Sequence, residues 1–219
     1  MVALMGALGI ERFCLCGHDR GARVAHRLAL NYAARVKKLC VLDIAPALDM
    51  FGGRCIIEPC MVFGRAWYRW FHLLQSSPLP EIMIGANRPE TACSCLHAEL
   101  GRQGSAGLKR IGPEALAECE RCFCNAEALH TAYDDFRGSS GVDLDHDLDR
   151  ESRLQGSKVA CDLQVLRGEL GVVNQLFNSM ALWRAQCSGR LAGRAIASGH
   201  FISEEQPEAT PRALLDFFR

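Results

Sequence analysis

The feature that most constrains the fold of this chain is the change of pattern at residues 17–21, which read Gly-His-Asp-Arg-Gly. The short apolar run before them is typical of a buried strand. After them, Val24, Leu28 and Tyr32 recur at helical spacing with Ala25 and Ala29 beside them, which predicts a helix that packs on a sheet through this face. Glycines at both ends let the backbone turn tightly and approach itself. The segment therefore predicts a strand that turns sharply into a helix, with Asp19 at the bend.

Strand and helix patterns alternate elsewhere in the chain as well. Buried strands are predicted at residues 38–44 and 159–166, and a shorter strand at 194–197. Strand, helix and strand joined by short connections favour a right-handed crossover between parallel strands. The chain is therefore expected to form an α/β protein with a parallel sheet.

Residues 49–150 interrupt this alternation. They are rich in aromatic residues and helix formers, with glycine, proline and serine between them, and we interpret them as a helical insertion that acts as a lid. The core is then predicted to consist of residues 1–48 and 151–219. Alternating aspartates at 143–149 lack the turn glycine and terminal glutamate of a calcium loop, which favours a solvated linker.

Composition excludes several classes of partner. Among 219 residues, 25 Lys and Arg balance 25 Asp and Glu, which argues against nucleic acid or an anionic membrane as a partner. No apolar run reaches the roughly 20 residues of a membrane helix, and the first residues lack the features of a secretory signal. We therefore expect a cytoplasmic protein whose partner is a small molecule.

The twelve cysteines are numerous for such a chain. Cys14, Cys16 and Cys40 lie in strand-like runs and are interpreted as buried free thiols. Residues 119–122 contain one C-x-x-C motif, but a structural zinc site usually requires a second pair of ligands. We predict no metal and no cofactor, and a zinc-binding module is kept only as a distant alternative.

Three residues at predicted strand ends form a candidate catalytic set. Asp19 stands where a nucleophile would stand in a sharp strand-to-helix turn, and a carboxylate there could form an ester with a substrate carbon. Asp43 follows the second strand and His200 follows the last one, in the order nucleophile, acid and histidine. Parallel sheets carry their sites at such strand ends. The alternative is that Asp19 only caps the helix.

These segments closely resemble the haloacetate (fluoroacetate) dehalogenases of the α/β-hydrolase superfamily. The matching stretches are residues 17–28, 42–46 and 198–202. The resemblance implies an α/β-hydrolase fold with a helical lid, here with a partial parallel sheet lacking the N-terminal strands. It also implies that Arg20 and Arg23 bind the substrate carboxylate.

The mechanism implied by the resemblance has two steps. Asp19 displaces halide from a 2-haloacid and becomes an ester, and His200, oriented by Asp43, then activates the water that hydrolyses it. The backbone N–H of Arg20 and a second N–H from a loop earlier in the fold would stabilise the oxyanion. The family is usually dimeric, which implies a homodimer.

The halide pocket departs from the family pattern. Trp70 matches the family's tryptophan, but Arg69 stands where the family has histidine and Phe136 where it has tyrosine. Phenylalanine donates no hydrogen bond. Because fluoride requires the strongest donors, defluorination is the least expected activity, and chloroacetate, bromoacetate or a different 2-substituted acid stays open as the substrate.

Two alternatives to an active dehalogenase stay open. Tyr68 and Tyr133 could serve as the lid acids of an epoxide hydrolase. In addition, sixteen residues precede the turn at 17–21, where this fold places several strands and the oxyanion loop. We therefore expect a truncated chain with an exposed sheet edge and an uncovered helix face, and an inactive remnant is the second alternative.

Overall fold

The computed structural model describes residues 1–51, 75–84, 107–140 and 148–219. The chain divides into two compact units. The first consists of Met1–Asp49 and Glu151–Arg219, and the second of Met50–Arg150. That the second unit acts as a lid stays a prediction.

A four-stranded parallel sheet forms the centre of the first unit. Its strands are β1 (Phe13–His18), β2 (Val36–Leu42), β3 (Asp162–Gly168) and β4 (Leu191–Ile196). They lie side by side in the order β1-β2-β3-β4, and every neighbouring pair is parallel. The predicted α/β architecture with a partial parallel sheet is confirmed.

Eleven α-helices and two 3-10 turns are described. In chain order the helices are α1 (Val2–Ala7), α2 (Arg20–Asn31), α3 (Ala47–Phe51), α4 (Leu79–Ile84), α5 (Pro113–Phe123), α6 (Ala126–Ser140), α7 (Leu148–Leu154), α8 (Val172–Leu176), α9 (Ser179–Ala185), α10 (Ile202–Glu205) and α11 (Ala209–Phe218). The 3-10 turns are Ala33–Arg35 and Gly107–Arg110.

The core lies along the two middle strands. Consecutive residues of β2, Leu39 to Val41, are fully buried, and so are Leu163 and Val165 of β3. Successive side chains of a strand point to opposite faces, so β2 is covered on both faces there. This is the arrangement expected of a parallel sheet.

Helix α2 packs on the sheet through part of the predicted face. Ala25, Leu28 and Ala29 are buried as predicted, together with Ala22, whereas Val24 is 57% exposed. Tyr32, which follows the helix, is also exposed. The prediction was therefore right for Ala25, Leu28 and Ala29 and wrong for Val24 and Tyr32, because the buried face is centred on the small alanine side chains, which let the helix approach the strands closely.

The cysteines of β1 are less buried than predicted. Cys40 is fully buried, but Cys14 is only partly buried and Cys16 is exposed. The physical reason is the position of β1, which bonds to β2 alone among the described strands. No residue of α1 is buried. The exposed sheet edge and the uncovered helix face stay predictions.

In the second unit, the described residues form helices and turns. Glu81 of α4 is buried and accepts hydrogen bonds from His130 and Arg137 of α6, each at 3.0 Å. Cys119 and Cys122 are exposed on α5.

The described residues contain neither a metal-binding cluster nor a membrane-spanning helix. No group of three or more His, Cys, Asp and Glu side chains within them is arranged to hold a metal ion. None of the helices there is long and apolar enough to cross a membrane. Most of the acidic tract lies outside the described residues, while Asp149 belongs to α7.

Candidate active site

The bend between β1 and α2 is as sharp as the sequence predicts. Asp19 adopts φ 47° and ψ −115°, a strained conformation for a residue with a side chain. A Cβ atom on Gly17 would lie 2.5 Å from the carbonyl oxygen of Gly21, so only glycine fits at position 17. A Cβ on Gly21 would meet no described atom within 4 Å. The close approach therefore requires the first glycine and not the second.

The Asp19 side chain faces His200. It forms no capping hydrogen bond with α2, so the interpretation of Asp19 as a helix cap is wrong. Its Oδ2 lies 3.5 Å from Nε2 of His200, and the side chain is 28% exposed. The carboxylate is therefore held beside the imidazole while part of it stays open to solvent.

Asp43 lies directly after β2 and is almost completely buried. Its Oδ2 accepts a hydrogen bond of 2.7 Å from Nδ1 of His200, and its Oδ1 accepts one of 2.9 Å from the backbone N–H of Gly168. A Cβ on Gly171 would come within 2.9 Å of both carboxylate oxygens. Glycine at 171 therefore leaves the space that the buried carboxylate occupies.

His200 lies in the loop after β4, which packs closely on the end of β3. A Cβ on Gly168 would overlap the carbonyl oxygen of Gly199. The N–H of Gly199 donates to the Glu205 carboxylate at 2.8 Å. These contacts hold the backbone on the N-terminal side of the imidazole.

His18 also contacts the loop that carries His200, and the sequence patterns did not predict this contact. Its Nε2 donates to the carbonyl oxygen of His200 at 2.9 Å, and the two rings lie 4.5 Å apart. Burial, and then the charge of His200, lower the pKa of His18, which favours the neutral ring. The position of His18 next to Asp19 in the turn is the sequence feature that could have indicated this contact.

The charges of the three groups are interdependent. Burial favours the neutral form of His200, but the hydrogen bonds and charges of Asp19 and Asp43 outweigh it and raise its pKa to about 10. Burial likewise opposes ionisation of Asp19, but the hydrogen bond and charge of His200 and the charge of Arg23 lower its pKa overall. The contacts with Asp19 and Asp43 therefore favour the charged form of the imidazole.

Arg20 and Arg23 occupy the first turn of α2, next to the bend, and both are partly buried. The influence of Arg23 on the pKa of Asp19 places its charge near the carboxylate. The structure thus brings both arginines and the set Asp19, Asp43 and His200 to the carboxyl end of the sheet. Their catalytic and binding roles stay predictions.

The other predicted residues belong to the second unit. Arg69 and Trp70 lie outside the described residues, as does Tyr68. Phe136 and Tyr133 are one turn apart on α6, where Phe136 is partly buried and Tyr133 is buried.

This geometry suits nucleophilic catalysis. A partly exposed carboxylate can attack an electrophilic carbon, and a histidine on the same side can then act on water. The second carboxylate is buried and is hydrogen-bonded to Nδ1 of the histidine.

The comparisons with known proteins agree with this geometry. The chain is 36% identical to a fluoroacetate dehalogenase from Burkholderia sp over 220 residues, which cover 98% of this chain and 66% of that protein. A proposed α/β hydrolase from Nostoc sp PCC 7120 has 39% sequence identity and a TM-score of 0.86, covering 99% of this chain and 69% of the other. A proposed epoxide hydrolase from Pseudomonas aeruginosa has 32% identity and a TM-score of 0.82, covering 99% and 68%.

No protein-family model matches the chain. The chain spans 66% of the length of the curated dehalogenase that it matches, which is just under two thirds.

Proposed function

Because the chain belongs to the α/β-hydrolase superfamily and is similar to a fluoroacetate dehalogenase, we propose that its site displaces halide from small 2-haloacids. The observation that carries this proposal is the contact of His200 with two carboxylates. Its Nδ1 is bonded to buried Asp43, and its Nε2 lies 3.5 Å from the more open Asp19.

The first step is formation of an ester on Asp19. A carboxylate oxygen of Asp19 attacks the carbon that carries the halogen, and the halide leaves with the electron pair of the broken bond. Arg20 and Arg23 would hold the substrate carboxylate through charge-assisted hydrogen bonds. Their position at the start of α2, beside the bend, supports this role.

The second step follows from the charge that the first step removes. An esterified Asp19 no longer carries the negative charge that helps to raise the pKa of His200. Burial then favours the neutral imidazole, and His200 releases its proton to solvent. The neutral ring can accept a proton from water, whose oxygen attacks the ester carbonyl. The tetrahedral intermediate then expels the alkoxide of the product, which takes the remaining proton of the attacking water. The 2-hydroxyacid leaves, the Asp19 carboxylate is regenerated and His200 keeps the other proton, as before the first step.

Asp43 is proposed to orient His200 throughout. Both of its oxygens already accept hydrogen bonds, and the residue is 1% exposed, so it has little freedom to attack substrate itself. The backbone N–H of Arg20 is the proposed donor to the oxyanion of the hydrolytic step.

The proposed halide pocket consists of Arg69, Trp70 and Phe136. Because Phe136 donates no hydrogen bond, release of chloride or bromide is proposed in preference to fluoride. A cytoplasmic homodimer without cofactor or metal stays the prediction from the sequence.

An epoxide hydrolase is the second candidate. The similarity to a proposed epoxide hydrolase from Pseudomonas aeruginosa favours it, and Tyr133 would be one of its two lid acids. Formation of a diol from a small epoxide, without halide release from haloacids, would support this candidate. The third alternative is an inactive remnant that forms no ester at all.

The deciding experiment is intact-mass analysis after incubation with chloroacetate. We expect chloride release and a transient carboxymethyl ester that peptide mapping places on Asp19. Adduct without turnover would support the nucleophile but not the hydrolytic step. No adduct in the folded wild-type protein, or equal labelling of Asp19→Asn, would refute the proposal.

A further inference from the structure

Two cysteines and a glutamine form a row across the first three strands of the sheet. Cys16 of β1 pairs in register with Cys40 of β2, and Cys40 pairs in register with Gln164 of β3. Residues that pair in register between parallel strands have their side chains on the same face of the sheet. The two thiols are therefore direct neighbours, and neither belongs to the candidate catalytic set.

The two thiols differ in their access to solvent. Cys16 is exposed, whereas Cys40 is completely buried. Cys40 belongs to the buried apolar cluster on which Phe217 and Phe218 of α11 pack. A dissolved reagent can therefore reach Cys16 and not Cys40.

Hydrogen bonds favour the reactive form of the exposed thiol. Sγ of Cys40 donates to Oε1 of Gln164 at 3.3 Å. A side-chain hydrogen bond with Cys40 lowers the pKa of Cys16, although desolvation by the surrounding protein acts in the opposite direction. Because Cys40 has a single thiol proton, it can donate to Gln164 while Cys16 is protonated and to the Cys16 thiolate once that forms. The thiolate, and not the thiol, is the form that oxidants attack.

The other exposed cysteines among the described residues, Cys119 and Cys122, have different surroundings. Sγ of Cys122 donates to Oε1 of Glu118 at 3.4 Å, and this hydrogen bond raises the pKa of Cys122. A carboxylate beside a thiol disfavours the thiolate, whereas a second thiol that donates a hydrogen bond stabilises it. Cys16 therefore combines exposure with a neighbour that favours its reactive form.

We propose that Cys16 is a site of oxidation by hydroperoxides and that Cys40 then forms a disulfide with it. The Cys16 thiolate attacks one oxygen of hydrogen peroxide, the O–O bond breaks, and hydroxide leaves, which gives a sulfenic acid on Cys16. The Cys40 sulfur then gives up its proton and attacks the Cys16 sulfur. The S–O bond breaks, and the departing hydroxide takes up that proton to leave as water. Peroxide is reduced and the two thiols are oxidised.

The second step fits the position of the two strands. Neighbouring strands lie about 4.8 Å apart, and disulfides join residues whose Cα atoms are roughly 4.4–6.8 Å apart. The hydrogen bond with Cys16 is also the main reason that the pKa of Cys40 is raised. Oxidation of Cys16 removes its thiolate, so Cys40 becomes easier to deprotonate when it has to attack. This modification site does not depend on the dehalogenase proposal.

The test is treatment of the reduced full chain with hydrogen peroxide, followed by blocking of free thiols with N-ethylmaleimide and peptide mapping without reductant. We expect a linked pair of peptides that contains Cys16 and Cys40 and that dithiothreitol separates. Cys16 should be consumed about tenfold faster than Cys119 and Cys122. Oxidation of Cys16 while Cys40 stays a free thiol, or no preference for Cys16 over the exposed thiols of α5, would overturn the proposal.

Cys16→Ser and Cys14→Ser are the matched variants, since both residues belong to β1 and only Cys16 has a cysteine opposite it on β2. After the same treatment, Cys40 should stay a free thiol in Cys16→Ser and should be linked in Cys14→Ser as fully as in the wild-type chain. Cys40→Ser should accumulate a sulfenic acid on Cys16, which dimedone traps. If Cys40→Ser fails to fold, the two β1 variants decide the question. Oxidation of Cys40 in folded Cys16→Ser, or loss of the link in folded Cys14→Ser, would overturn the proposal.

Discussion

The ends of β1 and β2 carry the same residue in the same unusual backbone conformation. Asp19 has φ 47° and Asp43 has φ 45°. Each backbone N–H donates to a carbonyl oxygen of the neighbouring strand, that of Leu42 for Asp19 and that of Leu166 for Asp43. The two strand ends differ in what surrounds the side chains.

Asp43 has no exposed side-chain surface, whereas 28% of the Asp19 side chain is exposed. Both oxygens of Asp43 accept hydrogen bonds, from His200 and from Gly168. The two strand ends, which share a positive φ, thus present one carboxylate that is partly open to solvent and one that is buried and hydrogen-bonded through both oxygens. The surroundings of each aspartate, and not its conformation, separate the two proposed roles.

The largest expected effect is that of Asp19→Asn. The amide lacks the charge of the carboxylate, so we expect no ester and a loss of turnover of about a million-fold, as when other catalytic nucleophiles are removed. Chloride release measures turnover, and intact mass measures ester formation. Appreciable turnover in this variant would mean that the two aspartates do not differ in the proposed way.

Asp43→Asn should leave the first step intact and impair the second. Without the buried carboxylate, His200 loses its orientation, and turnover should fall by about 10⁴-fold. Because Asp19 is untouched, the ester should accumulate and be visible by mass. Loss of ester formation in a folded Asp43→Asn variant would contradict this division of roles.

The sharing of His200 between both aspartates predicts a pH dependence of stability. Its pKa is raised from 6.5 to about 10 in the folded chain. The stabilisation is therefore fully present below pH 6.5 and is lost as the pH rises through 10. We expect a decrease of roughly a few kcal/mol in the free energy of unfolding across this interval, measured by urea denaturation. A histidine titration by NMR should show a lower pKa of His200 in either aspartate variant.

Two glycine substitutions test the space around each aspartate. Gly171→Ala would bring Cβ within 2.9 Å of both oxygens of Asp43 and should destabilise the fold by about 1–3 kcal/mol. Gly21→Ala, close to Asp19, meets no described atom and lies in a helix, so it should stabilise by about 0.5–1 kcal/mol. Thermal and urea denaturation measure the change in the free energy of unfolding for each variant. Equal changes would show that the space around Asp43 is less restricted than the contacts indicate.

The smallest effect is expected for His18→Phe. It removes the hydrogen bond to the His200 carbonyl but keeps an aromatic ring, so turnover should fall less than about tenfold. His18→Gln, which keeps a donor, is the matched comparison and should retain more activity. A larger loss in His18→Phe would give His18 a direct part in the reaction.

The strand ends could be predicted from the sequence because their signals are local. Gly17 marks the bend, an apolar run precedes it, and His200 follows directly after the last predicted strand. The burial of Val24 and Tyr32 was mistaken because the face of α2 that contacts the sheet is centred on alanines. Burial of Cys16 was mistaken because it depends on the position of β1 at the edge.

Other features depend on distances between segments far apart in the sequence. Three of them arise only after the strands are assembled: the space that Gly171 leaves for Asp43, the contact of His18 with the His200 backbone, and the pairing of Cys16 with Cys40. No periodicity or short sequence motif predicts these features. They could be found only from the tertiary structure.

The order of the strands has a consequence for a chain that is still being synthesised. Asp19 and Asp43 leave the ribosome long before His200, which is supplied by the loop after β4, the last strand to form. Until that loop docks, the aspartates that follow the first two strands lack the imidazole that both contact in the folded chain. The site is therefore completed only when the C-terminal part of the chain has been synthesised and has packed on the sheet.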